Sequence, residues 1–284
     1  MNLIKFGRRS GDEESIGTSA SNAEAAEQSA PSVEPQVVQF EAATLRDAGL
    51  LSPAYEGFKL AREYRQVKRP LIARALGRGM ARMSRGYLIM VTSAVSGEGK
   101  SFTAVNLALS LSLEKDLRVL LVDADLIKPH ITRVLGLAEA PGLVDVLSDP
   151  QLDVERVIRA TNITKLSLLA AGRATPEANE LLSSQRMEQV ATALGERDAQ
   201  RIVLFDSPPL LQSNESQALA QIAGQIVVVV QAGVTPQPLL LDALESLKDH
   251  GGLSLVLNQS MQPAVSPYYY YGYGSERAAQ EEAS

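Results

Sequence analysis

The sequence of 284 residues contains no cysteine and only two histidines. The lack of cysteine excludes disulfides and thiolate chemistry and fits a reducing cytosol, and so few soft ligands argue against a zinc site. No apolar run approaches the roughly 18 to 20 residues that a membrane-spanning helix needs. Residues 1–9 are followed by no apolar run, so they are not a secretory signal. We therefore expect a cytoplasmic protein.

The chain also lacks an excess of positive charge, since 27 Lys and Arg stand against 33 Asp and Glu and the formal net charge is -6. This balance argues against general binding of nucleic acid, so we expect no nucleic-acid partner. Hydrophobic residues make up 45% of the chain, which is enough for a substantial core. The length fits one large α/β domain with flexible ends.

Composition divides the chain into four segments. Residues 1–52 are predicted to be a disordered leader, since residues 10–36 are rich in Ser, Ala, Glu and Gln without an apolar period. Residues 53–86 are predicted to form a basic helical segment and residues 87–260 the folded domain. Residues 261–284 are predicted to be a flexible tail with a cluster of tyrosines.

The basic segment shows a helical pattern with two distinct faces. Nine Lys or Arg and one acidic residue lie between Lys59 and Arg85. Apolar residues recur at helical spacing on one face, at Leu60, Tyr64, Val67 and Leu71. Arginines share another face, at Arg62, Arg65 and Arg69. This basic face is either simply solvated or a docking surface for an anionic membrane or a partner subunit.

From residue 87 onward, apolar runs typical of strands alternate with helical segments. The strand predictions are 87–91, 118–122, 166–169, 202–205, 226–230 and 253–257, and the clearest helices are 103–113, 180–194 and 238–248. Nearly continuous apolar strands indicate a parallel sheet that is buried on both faces. The pattern predicts an α/β fold, with a doubly wound and mostly parallel sheet flanked by helices.

A glycine-rich loop follows the first predicted strand and precedes a helix. This is the context of the phosphate-binding loop of P-loop NTPases. We expect the nucleotide to contact residues of this loop and of the following helix, namely Ser96, Gly97, Glu98, Gly99, Lys100, Ser101 and Phe102. Lys100 can reach the β- and γ-phosphates, and the Ser101 hydroxyl is placed for Mg²⁺. The general pattern has glycine where this chain has Ala94, so a chance glycine-rich turn is the alternative.

Carboxylates end two further strands. Asp123 and Asp125 follow the second strand, and Asp206 follows the strand at 202–205. Ligands of such sheets bind at the carboxyl edge, so one acid can meet a metal while another accepts a proton from an incoming hydroxyl. Each Asp alone could be only a helix cap or a turn former. Together with the loop they predict a Mg²⁺-dependent NTPase.

These motifs resemble those of the bacterial tyrosine kinases of capsule and exopolysaccharide synthesis, and most closely the autokinases of exosortase and exopolysaccharide loci. The resemblance runs from about Glu63 to Tyr273. Its carriers are the loop and the strand ends above, together with Lys128-Pro129, the segments 68–71, 141–147 and 179–183, and the tyrosine tail.

The resemblance implies an ATP- and Mg²⁺-dependent protein-tyrosine autokinase that regulates polysaccharide polymerisation and export. Lys100 would bind phosphate, and Ser101 and Asp206 would hold Mg²⁺. Asp123 would accept the tyrosine proton, and Asp125 would support the metal or the loop. Asn258, at the end of the last strand, is a further candidate for adenine contact, although an Asn there is commonly a turn residue.

Five of the eight tyrosines lie between positions 268 and 273. Composition alone favours a low-complexity tail. The family phosphorylates its own tail, usually between neighbours in a ring, which makes acceptors of Tyr268, Tyr269, Tyr270, Tyr271 and Tyr273.

The resemblance also implies partners. They are a transmembrane chain-length determinant that activates the protein and keeps it peripherally at the inner membrane, further copies in a homo-oligomeric ring, and a cognate tyrosine phosphatase. The oligomerising Glu-x2-Arg-x2-Arg pattern of the family aligns with Arg62, Arg65 and Lys68, so its Glu is replaced and its last Arg is Lys.

Two other functions stay open at this level. One is a partition or cell-division ATPase of the same fold, but these carry a signature lysine where this chain has Val95. The other is a nucleotide-bound adaptor without catalysis that controls polysaccharide synthesis.

Overall fold

The computed structural model describes residues 37–41 and 59–260. Their main feature is a seven-stranded sheet, whose strands in chain order are β1 (Leu88–Ser93), β2 (Arg118–Asp123), β3 (Arg159–Ala160), β4 (Leu166–Leu169), β5 (Arg201–Asp206), β6 (Gln225–Gln231) and β7 (Leu253–Asn258). The spatial order is β3-β4-β2-β5-β1-β6-β7. Every pairing is parallel except that of β3 with β4. The predicted doubly wound, mostly parallel α/β fold is confirmed.

Helices cover both faces of the sheet. In chain order they are α1 (Lys59–Leu76), α2 (Lys100–Ser112), α3 (His130–Val134), α4 (Leu143–Ser148), α5 (Ala178–Leu182), α6 (Gln185–Glu196), α7 (Asn214–Ile222) and α8 (Gln237–Glu245), with a 3₁₀ turn at Val154–Arg156. In the described ranges no helix is both long and apolar enough to cross a membrane.

Alternation along the strands divides the core into two layers. In β1, Leu88 and Met90 join the cluster under α4 to α8, whereas Ile89 and Val91 join the cluster under α1 and α2. All six residues of β1 are buried. A central strand that is apolar on both faces is what a sheet covered by helices on each side requires.

The structure differs from the sequence prediction in two elements. The helix predicted over residues 180–194 is two helices, because the Ser184 hydroxyl accepts a hydrogen bond from the Met187 amide at 3.2 Å and caps a new helix there. The short strand β3 was not predicted, since two residues carry no readable period.

A third difference lies in the predicted disordered leader. Val38 makes a parallel bridge to Thr161, and Phe40 is buried and exchanges hydrogen bonds with the Asn162 side chain, at 2.8 and 3.1 Å. Residues 37–41 are therefore ordered against the turn that follows β3, which corrects the prediction at those positions. The rest of the leader lies outside the described residues.

Helix α1 has the two faces that its sequence predicted. Tyr64 and Leu71 are buried in the core, whereas Arg62 and Arg65 are exposed. Lys68 does not belong to the exposed face. Its ammonium group donates to the Ser110 carbonyl of α2 at 2.6 Å and pairs with Glu114 at 2.8 Å. Lys68 therefore fastens α1 to α2.

Candidate active site

The predicted site residues of the two acidic strands meet at the carboxyl edge of the sheet. In the register of the paired strands, Asp123 of β2 lies beside Asp206 of β5, and Asp206 lies beside Val91 of β1. The chain leaves β1 into the glycine-rich loop, so parallel pairing alone brings the loop and both acids together. Residues more than 80 positions apart in the sequence thus become neighbours.

The loop has the backbone that its glycines predict. Gly97 and Gly99 adopt φ values of 93° and 90°, a left-handed region that other residues seldom occupy. Gly99 precedes the first turn of α2, and its carbonyl accepts a hydrogen bond from the Thr103 amide at 2.9 Å. Ala94, the departure from the general pattern, is fully buried and has no positive φ, so its backbone does not require glycine.

Lys100 reaches from the loop to the acids. Its Nζ atom lies 2.9 Å from Oδ2 of Asp125 and 3.5 Å from the Ser101 hydroxyl. Burial lowers the pKa of Lys100, but the negative charges of Asp206 and Asp125 outweigh burial and raise that pKa overall. Lys100 therefore stays protonated among three neighbouring carboxylates, those of Asp123, Asp125 and Asp206.

Asp206 is the least satisfied acid of the group. It is fully buried, and neither carboxylate oxygen has a hydrogen bond of normal geometry among the described residues. Burial raises its pKa to about 7, against the opposing influence of Lys100. A buried carboxylate with two unused oxygens is costly unless a cation or donor completes it.

Asp123 is also fully buried, but one of its oxygens is held. Its Oδ2 accepts from the Thr132 amide at 2.8 Å, while Oδ1 has no partner in the described part of the chain. Burial raises its pKa to about 6 and outweighs the lowering by Thr132. Asp123 is therefore largely ionised at neutral pH, yet basic enough to accept a proton.

Asp125 closes the site on the solvent side. Its Oδ2 pairs with Lys100, and its Oδ1 accepts from the Lys128 amide at 3.0 Å. Asp125 is 5% exposed, whereas Asp123 and Asp206 are 0% exposed. Asp125 is thus the most solvent-accessible of the three acids.

The residues present fit a Mg²⁺ ion. Within the described ranges no cluster of three or more His, Cys, Asp or Glu forms a ready-made metal cage. Mg²⁺ does not need one, because it usually takes one or two protein oxygens and completes its shell with water and phosphate. The unused oxygens of Asp206 and the hydroxyl of Ser101 are donors of that kind.

The remaining predicted residues lie around the loop. Ser96 is exposed and Phe102 is half-buried, whereas Glu98 is buried and its carboxylate contacts protein groups. Asn258 donates through Nδ2 to the Glu98 carbonyl at 2.9 Å, which places the end of β7 against the loop. The acceptor tyrosines, Tyr268, Tyr269, Tyr270, Tyr271 and Tyr273, lie outside the described residues.

Sequence reasoning missed the residues that hold these groups in place. Thr132 binds Asp123 through its amide, and its hydroxyl accepts from the Ala171 amide at 2.9 Å. Thr235 donates its hydroxyl to Glu98. Neither contact leaves a sequence signal, because a backbone amide can come from any residue and threonine is common in turns.

Comparison with known proteins assigns the chain. The AAA domain family matches residues 86–250, more than half of the chain. Tyrosine-protein kinase YwqD of Bacillus subtilis (strain 168) is 36% identical over 187 residues, covering 65% of this chain and 77% of that relative. The chain belongs to the bacterial tyrosine kinase family. The solved kinase domain of VpsO agrees, with 26% identity and a TM-score of 0.59 over 74% of this chain and all of that domain.

Other relatives are much longer than this chain. The putative tyrosine-protein kinase EpsB of Ralstonia nicotianae is 31% identical over 68% of this chain, but the match spans only 25% of that protein. A structure of McdA from Cyanothece, at 22% identity and a TM-score of 0.50 over 60% of this chain, shares the fold alone. The comparisons thus favour the kinase family over the partition-type alternative.

Proposed function

We propose that the protein is an ATP- and Mg²⁺-dependent protein-tyrosine kinase that phosphorylates its own C-terminal tyrosines. The observation that carries the proposal is the buried group of Lys100, Asp123, Asp125 and Asp206 at the end of a phosphate-binding loop. Among the described residues, Asp206 and Asp123 keep carboxylate oxygens without hydrogen-bond partners. Such a group suits a reaction in which phosphate charge and one proton are handled together.

Each residue has a defined part in the transfer. The loop amides and Lys100 bind the phosphates, and Ser101 with Asp206 would hold Mg²⁺, which supplies charge neutralisation at the phosphate oxygens when bound. The tyrosine oxygen bonds to the γ-phosphorus as the bond from that phosphorus to the bridging oxygen of ADP breaks. Asp123 takes the phenolic proton at Oδ1.

The length of chain between the end of β7 and the tyrosines is consistent with the tail tyrosines as phosphate acceptors. Strand β7 ends at Asn258, against the loop. Tyr268 follows ten residues later, a length that spans at most about 33 to 36 Å. Four strand spacings, about 19 Å, separate β7 from β2. The connection is therefore long enough for the tyrosines to reach the site of their own chain.

The test is a map of phosphorylation sites. The full chain is incubated with Mg²⁺-ATP and a membrane fragment of its chain-length partner, and phosphotyrosine is located by mass spectrometry. We expect phosphate on residues 268–273 and none after all five of those tyrosines are changed to Phe. An unmodified wild-type tail would reject the proposal, and nucleotide turnover without phosphotyrosine would favour the partition-type ATPase.

We also propose that the protein works with a transmembrane activator and with further copies in a ring, and that it regulates exopolysaccharide polymerisation and export. The exposed Arg62, Arg65 and Arg69 of α1 support a docking role. Their joint change to Gln should weaken assembly or partner recruitment, measured by light scattering and vesicle pull-down. Unaltered assembly and recruitment would show that this basic face is only a solvated surface.

A further inference from the structure

We propose that Glu98 is a positioning residue. Its buried carboxylate fixes the phosphate loop to the turn after β6, and its backbone carbonyl joins the loop to the end of β7. The inference concerns nucleotide binding at the loop. It rests on that part of the proposed function and is independent of transfer to tyrosine.

The first observation is that both carboxylate oxygens of Glu98 are used inside the protein. Glu98 is 2% exposed. Its Oε2 accepts from the Val95 amide at 2.8 Å, and its Oε1 accepts from the Thr235 hydroxyl. Neutral donors stabilise a buried carboxylate without removing its charge, so Glu98 is unsuited to binding phosphate directly. Because both of its oxygens accept from protein groups, its side chain acts on the loop.

The second observation is that the partner of Glu98 is itself fixed. The Thr235 hydroxyl also accepts from the Gln231 amide at 3.0 Å. The Thr235 amide in turn donates to the Gln231 carbonyl at 3.1 Å. Thr235 is thus held in a closed turn between β6 and α8, and it offers Glu98 a stationary anchor.

A third observation shows a second anchor from the backbone of the same residue. The carbonyl of Glu98 accepts from Asn258 Nδ2 at 2.9 Å. A Cβ atom on the next residue, Gly99, would lie only 2.1 Å from that nitrogen. The close approach requires glycine at position 99 in addition to its left-handed backbone, and it ties the loop to the end of β7.

Together these contacts give the loop its shape without a ligand. The segment from Val95 to Gly99 is tied to the turn after β6 and to the end of β7, because Glu98 contacts them through different atoms. Amides that are already arranged for a phosphate bind it with a smaller loss of conformational entropy. We call the contacts of the Glu98 carboxylate with Val95 and Thr235 the brace. Removal of the brace should therefore weaken nucleotide affinity more than it slows phosphate transfer in the nucleotide-saturated protein.

The matched variants of Glu98 separate this role from its alternatives. Glu98→Ala removes both contacts and should raise the Kd of Mg²⁺-ADP by about tenfold or more, as expected for lost hydrogen bonds to a charged group. Glu98→Gln can still accept from Val95 and can donate to Thr235, so it should stay within about threefold of the wild type. Thr235→Val should weaken binding in the same direction and add little to Glu98→Ala.

Isothermal titration with Mg²⁺-ADP on the full chain measures these affinities, and ATP kinetics separate KM from kcat. Glu215→Ala is the control, because Glu215 is also buried, at 4%, and also accepts from a hydroxyl, that of Ser213. It should lower Tm as Glu98→Ala does while leaving the Kd unchanged. If Glu98→Ala does not fold, Thr235→Val carries the test.

Three results would overturn the inference. An unchanged Kd in Glu98→Ala or Thr235→Val would show that the brace does not shape the site. A Glu98→Gln variant as weak as Glu98→Ala would show that the hydrogen bonds which Gln can still make do not shape the site. An equal loss of affinity in Glu215→Ala would show that the weaker binding of Glu98→Ala comes from general destabilisation of the protein. A wild type that binds Mg²⁺-ADP but yields no phosphotyrosine would instead refute only the proposed function.

Discussion

The two halves of the carboxyl edge of the sheet, on either side of β1, are chemically opposite. On one side β2 and β5 end in Asp123 and Asp206, which are buried carboxylates with oxygens that have no hydrogen-bond partner in the described ranges. On the other side β6 and β7 end in Gln231 and Asn258, which are amides. Both amides donate hydrogen bonds, Gln231 to the Gln259 side chain at 2.7 Å and Asn258 to the Glu98 carbonyl at 2.9 Å.

The difference between acids and amides suggests that the half with β2 and β5 serves the reaction and the half with β6 and β7 serves binding. Unsatisfied charge is costly in the ligand-free protein, but it is available when phosphate, Mg²⁺ and a proton arrive. Satisfied neutral groups contribute a fixed shape and little reactivity. The loop after β1 belongs to both halves, since Lys100 faces the acids and Glu98 faces the amides. Four changes test this comparison.

The largest effect is expected for Lys100→Met. It removes the cation that serves both the phosphates and the three carboxylates, so tail phosphorylation should fall by about 10³-fold. Radiolabelled ATP measures the loss, and circular dichroism at pH 6 and pH 8 shows whether the fold survives. Labelling at the wild-type rate would remove Lys100 from the site.

A smaller loss is expected for Asp123→Asn. Loss of the proton acceptor should reduce transfer by about 10²-fold while Mg²⁺-ADP still binds. Asp125→Asn is the matched comparison, because it neutralises the acid nearest the solvent and keeps Asp123. A greater loss of transfer in Asp125→Asn than in Asp123→Asn would give the base role to Asp125.

Asp206→Asn should stabilise the ligand-free protein. The folded-state pKa of Asp206, about 7, lies above that of an unfolded Asp. Between the unfolded pKa of about 4 and the folded pKa of about 7, the folded protein keeps a proton that the unfolded chain has lost. The free energy of unfolding therefore falls as pH rises through this interval. Because Asn does not titrate, the variant lacks this loss of stability. Its free energy of unfolding should exceed that of the wild type by about 1 to 3 kcal/mol at pH 8. The gain should shrink towards pH 5.

Urea unfolding at pH 5 to 8 without Mg²⁺ measures that difference. The same variant should lose Mg²⁺-dependent stabilisation by nucleotide, measured by the shift in Tm. A variant that is less stable than the wild type at pH 8 would contradict the description of Asp206 as an unsatisfied charge.

The smallest effect is expected for Ala94→Gly, which restores the general loop pattern. Ala94 is buried and its backbone does not need glycine, so the change removes one methyl group and adds freedom to the unfolded chain. We expect about 0.5 to 1 kcal/mol of destabilisation and activity within twofold. Activity raised several-fold would show that the methyl group hinders the loop.

The sequence by itself determined the fold class and the candidate residues of the site. Apolar runs at strand length, glycines before Lys100 and acids after two strands are local patterns, so they can be read without coordinates. The comparisons confirm the family and the fold that those patterns indicated. The roles of the individual residues stay predictions until the variants are measured.

Only the tertiary structure decided which groups are satisfied. Asp125 and Asp206 look alike in sequence. Asp125 pairs with Lys100, whereas the oxygens of Asp206 have no hydrogen bond of normal geometry to any residue that the structure describes. Lys68 reads as part of a basic surface, yet it is buried against α2. Glu98 reads as a loop residue, yet Thr235, 137 positions away, holds it. Local patterns set where the chain turns and what it carries, whereas burial and pairing depend on neighbours that only the folded sheet brings together.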